Sequence, residues 1–339
     1  MITLSAPLHV GISVTNRCNL KCRHCIYSSG AASENELSAE EIHELIGQVA
    51  EMGCMTVEFL GGEPFFHKDL NSFVEHAGAL GLKVVVNTNG TLLTTDWIDR
   101  YAEHLLVVKI SFDGAAAAEH DAFRGVPGAF ERTRAAIRAL QERSIDTCLI
   151  TTVHRGNLGR IEAILSEAAS LLQRGTFTVT VMMPLGRGEQ LHDDMLSTSE
   201  VRELSQVLGT AKHKYASSHP HLNIKEELPQ SILLMDAAPA GSRCCTAGIS
   251  QMGISADGFA YPCTTMVGYR YDDHDVRKHR LVDIWRRSHL FCTVRDRQST
   301  KGKCATCKHL NQCGGGCRYA AWAFGNGLQG EDPLCWLDG

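Results

Sequence analysis

Three cysteines crowd one short run near the start of the chain, Cys18-Asn19-Leu20-Lys21-Cys22-Arg23-His24-Cys25. A [4Fe–4S] cluster takes one thiolate per iron, so three thiolates on one tight loop leave an iron open to a small molecule or a diffusible ligand. Zinc is the other metal such a loop serves, but it usually takes Cys-x2-Cys pairs with a fourth ligand at hand. The one adjacent candidate, His24, lies between two of the cysteines and must fold back to reach the same ion. The spacing points to an iron–sulfur cluster with an open corner.

A second field of cysteines fills the last third of the chain: Cys245-x12-Gly258-x4-Cys263, then Cys304-x2-Cys307-x5-Cys313-x3-Cys317, then x17-Cys335. A zinc ribbon explains four of these but not seven in this order. Cys244 precedes Cys245 directly, and neighbours point in different directions along an extended backbone, so both reach one metal only around a turn. Of the 14 cysteines, only Cys54, Cys148 and Cys292 fall outside these fields, and each reads as a small buried hydrophobe. Cys292 lies within the cysteine-rich tail and is also a candidate hydrogen donor.

The elements that must position these groups alternate. Strands read as His9–Ser13, Thr56–Leu60, Lys83–Asn87, Val107–Ser111, Thr147–Thr152 and Phe177–Met182. Helices read as Ser38–Met52, opened by a Ser38-x-x-Glu41 capping box, then Asp69–Leu80, ended by Gly81, Asp96–Ala102, Ala129–Arg143 and Leu158–Gln173. Repeated strand–helix units predict a parallel sheet with helices outside, an α/β fold in the form of a partial (β/α)6 barrel. Chemistry in such barrels sits at the carboxyl ends of the strands. The cysteine loop follows strand one, Gly61-Gly62-Glu63-Pro64 strand two and Asn87-Thr88-Asn89-Gly90 strand three; Ser111-Phe112-Asp113-Gly114 ends strand four and Pro184-Leu185-Gly186-Arg187-Gly188 follows strand six. The barrel is expected over residues 1–216, with a polar helix from Ser199 to about Ala216, a connector over 217–242, and a small cysteine-rich domain over 243–339 whose fold depends on the metal it binds.

The 339 residues carry 33 Lys and Arg against 38 Asp and Glu, a formal charge of -5 with no basic stripe, so nucleic acid is not the expected partner. No apolar run reaches the roughly 18 residues of a membrane span, and the first residues lack the features of a signal peptide. A cytoplasmic protein follows, and in a reducing compartment metal binding is the default reason for so many cysteines.

Taken together, the three-cysteine loop after strand one and the Gly-Gly-Glu-Pro run after strand two resemble the radical S-adenosylmethionine (SAM) superfamily, and the tail is similar to its SPASM domain, which holds two auxiliary [4Fe–4S] clusters. The resemblance implies three clusters with SAM. SAM chelates the open iron of the cluster on Cys18, Cys22 and Cys25, and its reductive cleavage supplies a 5′-deoxyadenosyl radical that abstracts substrate hydrogen. It also implies that Gly61, Gly62, Glu63 and Pro64 receive the methionyl ammonium, that Ser111 bonds the ribose, that Asn89 and Arg124 are candidates for SAM's polar groups, and that backbone around Met183–Leu185 edges the adenine. Lys21, Arg23 and His24 are placed to tune the cluster. Carried over to the tail, one auxiliary cluster takes Cys304, Cys307, Cys313 and Cys335, and the other takes Cys245, Cys263 and Cys317. The upstream cysteine that completes the latter in fully ligated relatives is absent here, so either Cys244 ligates or an iron stays open.

SPASM enzymes mostly modify peptides; others act on porphyrins or sugars. A Thr264, where the sulfatase-maturing branch has an aspartate after Tyr261-Pro262-Cys263, lowers that option. Strand one begins too early for a leader-binding domain, so either a separate protein recognises the leader or the substrate is small. The expected activity is oxidative crosslinking of a ribosomally made peptide, with an auxiliary cluster accepting the second electron and a flavodoxin or ferredoxin supplying the first. The alternatives are a porphyrin side-chain decarboxylase or lyase, for which Pro184-x-Gly186-Arg187-Gly188 is compatible, and an epimerase that returns hydrogen from a cysteine.

Overall fold

A computed structural model describes residues 4–227 and 245–337. Strands β1 (His9–Thr15), β2 (Thr56–Gly61), β3 (Lys83–Thr88), β4 (Leu105–Ser111), β5 (Thr147–Val153) and β6 (Gly175–Val181) lie side by side in chain order, each parallel to the next. Helices α1 (Ala39–Glu51), α2 (Leu70–Ala79), α3 (Thr95–Tyr101), α4 (Ala117–Arg124), α5 (Ala129–Glu142) and α6 (Ile161–Leu171) return the chain between them. The capping box forms as the sequence predicts: Ser38 Oγ accepts the Glu41 amide, and the Glu41 carboxylate accepts the Ser38 amide.

Two differences from the sequence reading bear on the site. After α7 (Thr198–Ser218), residues expected to connect two domains form β7 (Leu222–Glu226), parallel to β6. On the other edge, β8 (Gln251–Ile254), from the cysteine-rich tail, pairs in parallel with β1, and β9 (Ala260–Tyr261) folds back on it. One nine-stranded sheet therefore runs through both regions. Neither edge strand stood out in the sequence because each is short, with only Ile224 and Ile254 as β-branched members. Helix α4 is not legible in the sequence either, because eight residues with two alanines at the start carry little periodicity.

Side chains alternate across the sheet, as strand geometry requires. Val10, Ile12, Val57, Phe59, Val84, Val86, Val108 and Ile110 share the main apolar core with residues of the helices and are almost fully buried. The opposite face, toward the barrel interior, carries His9, Gly11, Ser13, Glu58, Lys109 and Cys148 at the alternate positions. Glu58 receives His9 Nε2 at 2.7 Å and Lys109 Nζ at 2.9 Å. Burial pushes its carboxyl up, but these two partners hold it down at about 2.

The tail adds α8 (Leu281–Arg287), α9 (His289–Arg295), α10 (Leu310–Cys313) and α11 (Arg318–Ala323) around a second, smaller core. No helix among the described residues is long and apolar enough to cross a membrane.

Candidate active site and cysteine fields

The cysteine loop is gripped from two sides. The carboxyl end of α4 accepts the Lys21 amide on Arg124 O at 3.1 Å and the Arg23 amide on Phe123 O at 3.0 Å. From the segment after β6, the Arg187 amide donates to Cys25 O at 3.0 Å, while its side chain donates to Cys22 O and Ser29 O, both at 2.7 Å. Contact this close requires glycine next door. Gly125 has φ +75° and a Cβ there would lie 2.4 Å from Lys21 O; Gly186 has φ +55° and its Cβ would lie 2.5 Å from Cys25 O.

Within this grip each sulfur meets a donor. Cys18 Sγ accepts from the Leu20 amide and Cys25 Sγ from the Ser29 amide, both at 3.4 Å, and Arg124 Nη1 lies 3.6 Å from Cys22 Sγ. Such donors stabilise thiolate character, so the loop fits a metal–sulfur group. Left without one, burial pushes the Cys18 thiol up to about 11. His24, weighed above as a zinc ligand, is committed elsewhere: its ring stacks on Phe123 at 4.1 Å, and Phe123 stacks on His154 at 4.4 Å. Burial, followed by the nearby Arg124, drives His24 down to about 3, so it stays neutral.

Of the residues expected to meet SAM, Gly61, Gly62, Glu63, Asn89 and Ser111 lie at or just past the ends of β2, β3 and β4. Gly61 and Gly62 make room for protein backbone: a Cβ on Gly61 would lie 2.3 Å from Thr15 O and one on Gly62 2.2 Å from Arg17 O. Pro64 opens a short helical turn. Glu63 is fully buried; its carboxylate accepts Thr88 Oγ1 at 2.6 Å and the Asn89 amide at 2.8 Å, and burial raises it to about 7. It braces β3 from beneath. Asn89 likewise faces protein, donating to Asn19 Oδ1 at 2.9 Å and accepting from Thr91. Arg124, in sequence a candidate for SAM's polar groups, ends a helix and is 8% exposed; Asp113 holds it through Nε at 2.6 Å and through Nη2. Ser111 ends β4, partly exposed. Leu185 is buried against Tyr261 and Met266.

In the tail, Cys304, Cys307, Cys313 and Cys335 line one small cavity together with Gly315, Gly316 and Asp332. Cys245, Cys263 and Cys317 pack on the core around Leu185, Tyr261 and Tyr319. Burial pushes the Cys317 thiol up, and Cys245 and Cys263 add to the push. Its sulfur accepts the Ala320 amide at 3.3 Å at the start of α11. Cys244 lies outside the described residues.

Two residues that sequence reasoning missed tie the fields together. Asp332 takes the Cys317 amide at 2.7 Å while lining the four-cysteine cavity. Tyr27, two residues past Cys25, donates its hydroxyl to Thr264 O, next to Cys263, at 2.6 Å. Their proximity to cysteines was the only signal in sequence. Of the cysteines outside the fields, Cys54 is buried in the main core, Cys292 is exposed on α9, and Cys148 faces the barrel interior, 3.3 Å from Thr178 Oγ1.

The chain belongs to the radical SAM superfamily and carries a SPASM domain. The Radical SAM superfamily model matches residues 12–168, and the SPASM iron–sulfur cluster-binding domain model matches residues 244–309. It is therefore an enzyme that uses SAM with a SAM-binding [4Fe–4S] cluster and auxiliary iron–sulfur clusters. An AdoMet-dependent heme synthase of Oleidesulfovibrio alaskensis is 34% identical, over 95% of this chain and 85% of that protein. The mycofactocin maturase MftC of Mycolicibacterium smegmatis is 32% identical, over 98% and 83%. In fold the chain is similar to Streptococcus suis SuiB, solved with S-adenosylmethionine, at a TM-score of 0.79 and 18% identity over 99% of this chain and 78% of that one.

Proposed function

We propose that this enzyme oxidises a ribosomally made peptide, removing a hydrogen and forming a crosslink, and that it draws the second electron out through the auxiliary clusters. The observation that carries this reading is the chain of contacts from the cysteine loop through Tyr27 to Thr264 beside Cys263, and through Cys317 to Asp332 in the four-cysteine cavity. Hydrogen removal leaves a radical, and a closed-shell crosslink requires one more electron to leave. In this reading Cys18, Cys22 and Cys25 hold the SAM cluster, Cys304, Cys307, Cys313 and Cys335 hold one auxiliary cluster, and Cys245, Cys263 and Cys317 hold the other, with Cys244 or an open iron completing it.

Once bound, the SAM cluster and SAM supply a 5′-deoxyadenosyl radical. The protein's part is positional. Arg187 and α4 fix the loop, Gly61 and Gly62 close the ends of β1 and β2, Glu63 fixes Asn89 and thereby Asn19 in the loop, and Ser111 and backbone near Leu185 are left to the nucleoside. A low-potential flavodoxin or ferredoxin delivers the electron, and a separate protein presents the leader. The mycofactocin maturase relative favours a peptide.

A second reading, oxidation of a porphyrin side chain, is favoured by the heme synthase relative. Anaerobic reconstitution with iron counting, followed by a reduced assay on the peptide encoded beside the gene and on an iron porphyrin bearing propionates, separates the two. About twelve irons per chain, deoxyadenosine release and a peptide lighter by a pair of hydrogens support the first. Retained tetrapyrrole absorbance with carbon dioxide release supports the second, and about four irons per chain sinks the two-cluster tail.

A further inference from the structure

We propose that Arg124, held in place by Asp113, sets the reduction potential of the cluster on Cys18, Cys22 and Cys25 through its contact with the Cys22 sulfur, an inference that rests on the cluster assignment above.

A relay of hydrogen bonds builds the contact from four elements. The Thr152 amide, near the end of β5, donates to Asp113 Oδ1 at 2.7 Å. Asp113, just past β4, takes Arg124 Nε on Oδ2 at 2.6 Å, with Nη2 on the same oxygen. The guanidinium has five N–H donors in a fixed fork, so two nitrogens tied to Asp113 leave Nη1 aimed at Cys22 Sγ, 3.6 Å away. Arg124 and Asp113 are 8% and 2% exposed, so water screens this contact little.

Reduction adds one electron to the cluster, from the low-potential donor protein, and moves no proton, because the guanidinium is protonated in both states. The reduced cluster is the more negative, and a buried cation stabilises it. Hydrogen bonds to cluster sulfur act in the same direction. Asp113 opposes the effect, but it reaches Cys22 only through the guanidinium, which itself touches the sulfur. The pair therefore makes the cluster easier to reduce, and Asp113 both aims the cation and tempers it.

The test is an anaerobic redox titration of the reconstituted full-length protein, following the electron paramagnetic resonance signal that changes when SAM is added, which separates this cluster from the auxiliary ones. Arg124→Met is expected to move the midpoint potential to more negative values and Asp113→Asn to more positive values, at unchanged iron per chain. Arg124→Lys keeps the charge but cannot span Asp113 and Cys22, so it falls between wild type and Arg124→Met. Potentials unmoved in Asp113→Asn and Arg124→Lys, or all moved in one direction, overturn the inference even where Arg124→Met fails to hold iron. A wild-type protein with no SAM-responsive signal defeats the cluster assignment itself.

Discussion

Glu63 and Glu58 are both buried, which pushes both carboxyls up, and the difference in their partners then leaves them shifted in opposite directions. Glu58 has the Lys109 ammonium and the His9 ring as donors and stays ionised down to about 2. Glu63 has only hydroxyl and amide donors among the described residues and holds its proton up to about 7. A carboxyl raised in the folded state binds its proton more tightly there than in the unfolded chain. Stability therefore falls as pH rises from the ordinary 4.5 to about 7 and then levels off. Glu63→Gln keeps the shape and removes the charge, so it should gain on wild type as pH is raised through that window. Chemical denaturation of the two proteins at pH 5 and pH 8 reads the difference; a gap that does not change with pH would show that Glu63 is not ionising there.

The element that matters most beyond the six expected strands is α4, since its last turn supplies both the backbone acceptors that hold the loop and the side chain that reaches Cys22. Its end is set by Gly125 in the left-handed region, where a side chain costs about 1 kcal/mol or more. The crowding against Lys21 O adds to this. Gly125→Ala should lose about four irons per chain, those of the loop alone, while Gly159→Ala, with nothing within 4 Å of its added Cβ, loses none. Iron counting after reconstitution decides it, and full loading of Gly125→Ala would mean the loop does not need this close approach.

At the scale of the whole molecule, the shared nine-stranded sheet makes the tail an extension of the barrel, and the Tyr27 hydroxyl joins the cysteine loop to the tail strand side at Thr264. Tyr27→Phe removes that bond and leaves a carbonyl short of a partner, so it should cost about 1–2 kcal/mol with iron per chain unchanged. A shift of the denaturation midpoint without iron loss is the expected result. Loss of about four or more irons would instead make Tyr27 part of what retains a cluster.

What the sequence determined by itself was local. Cysteine spacing marks metal ligands because a tight loop or turn brings near neighbours together whatever surrounds it, and the Ser38 capping box and six apolar strands follow from contacts within a few residues or from side-chain period. The strand ends that carry the chemistry followed in turn, because parallel strand–helix units bring all their carboxyl ends to one face. Tertiary structure decided the partners. Which groups Glu63, Asn89 and Arg124 bond within the protein, and which short strands extend the sheet, depend on residues tens to hundreds of positions apart in the chain. A buried polar group is satisfied by whichever donor or acceptor the fold brings within 3 Å or so, and that distance is not written in any local run of residues.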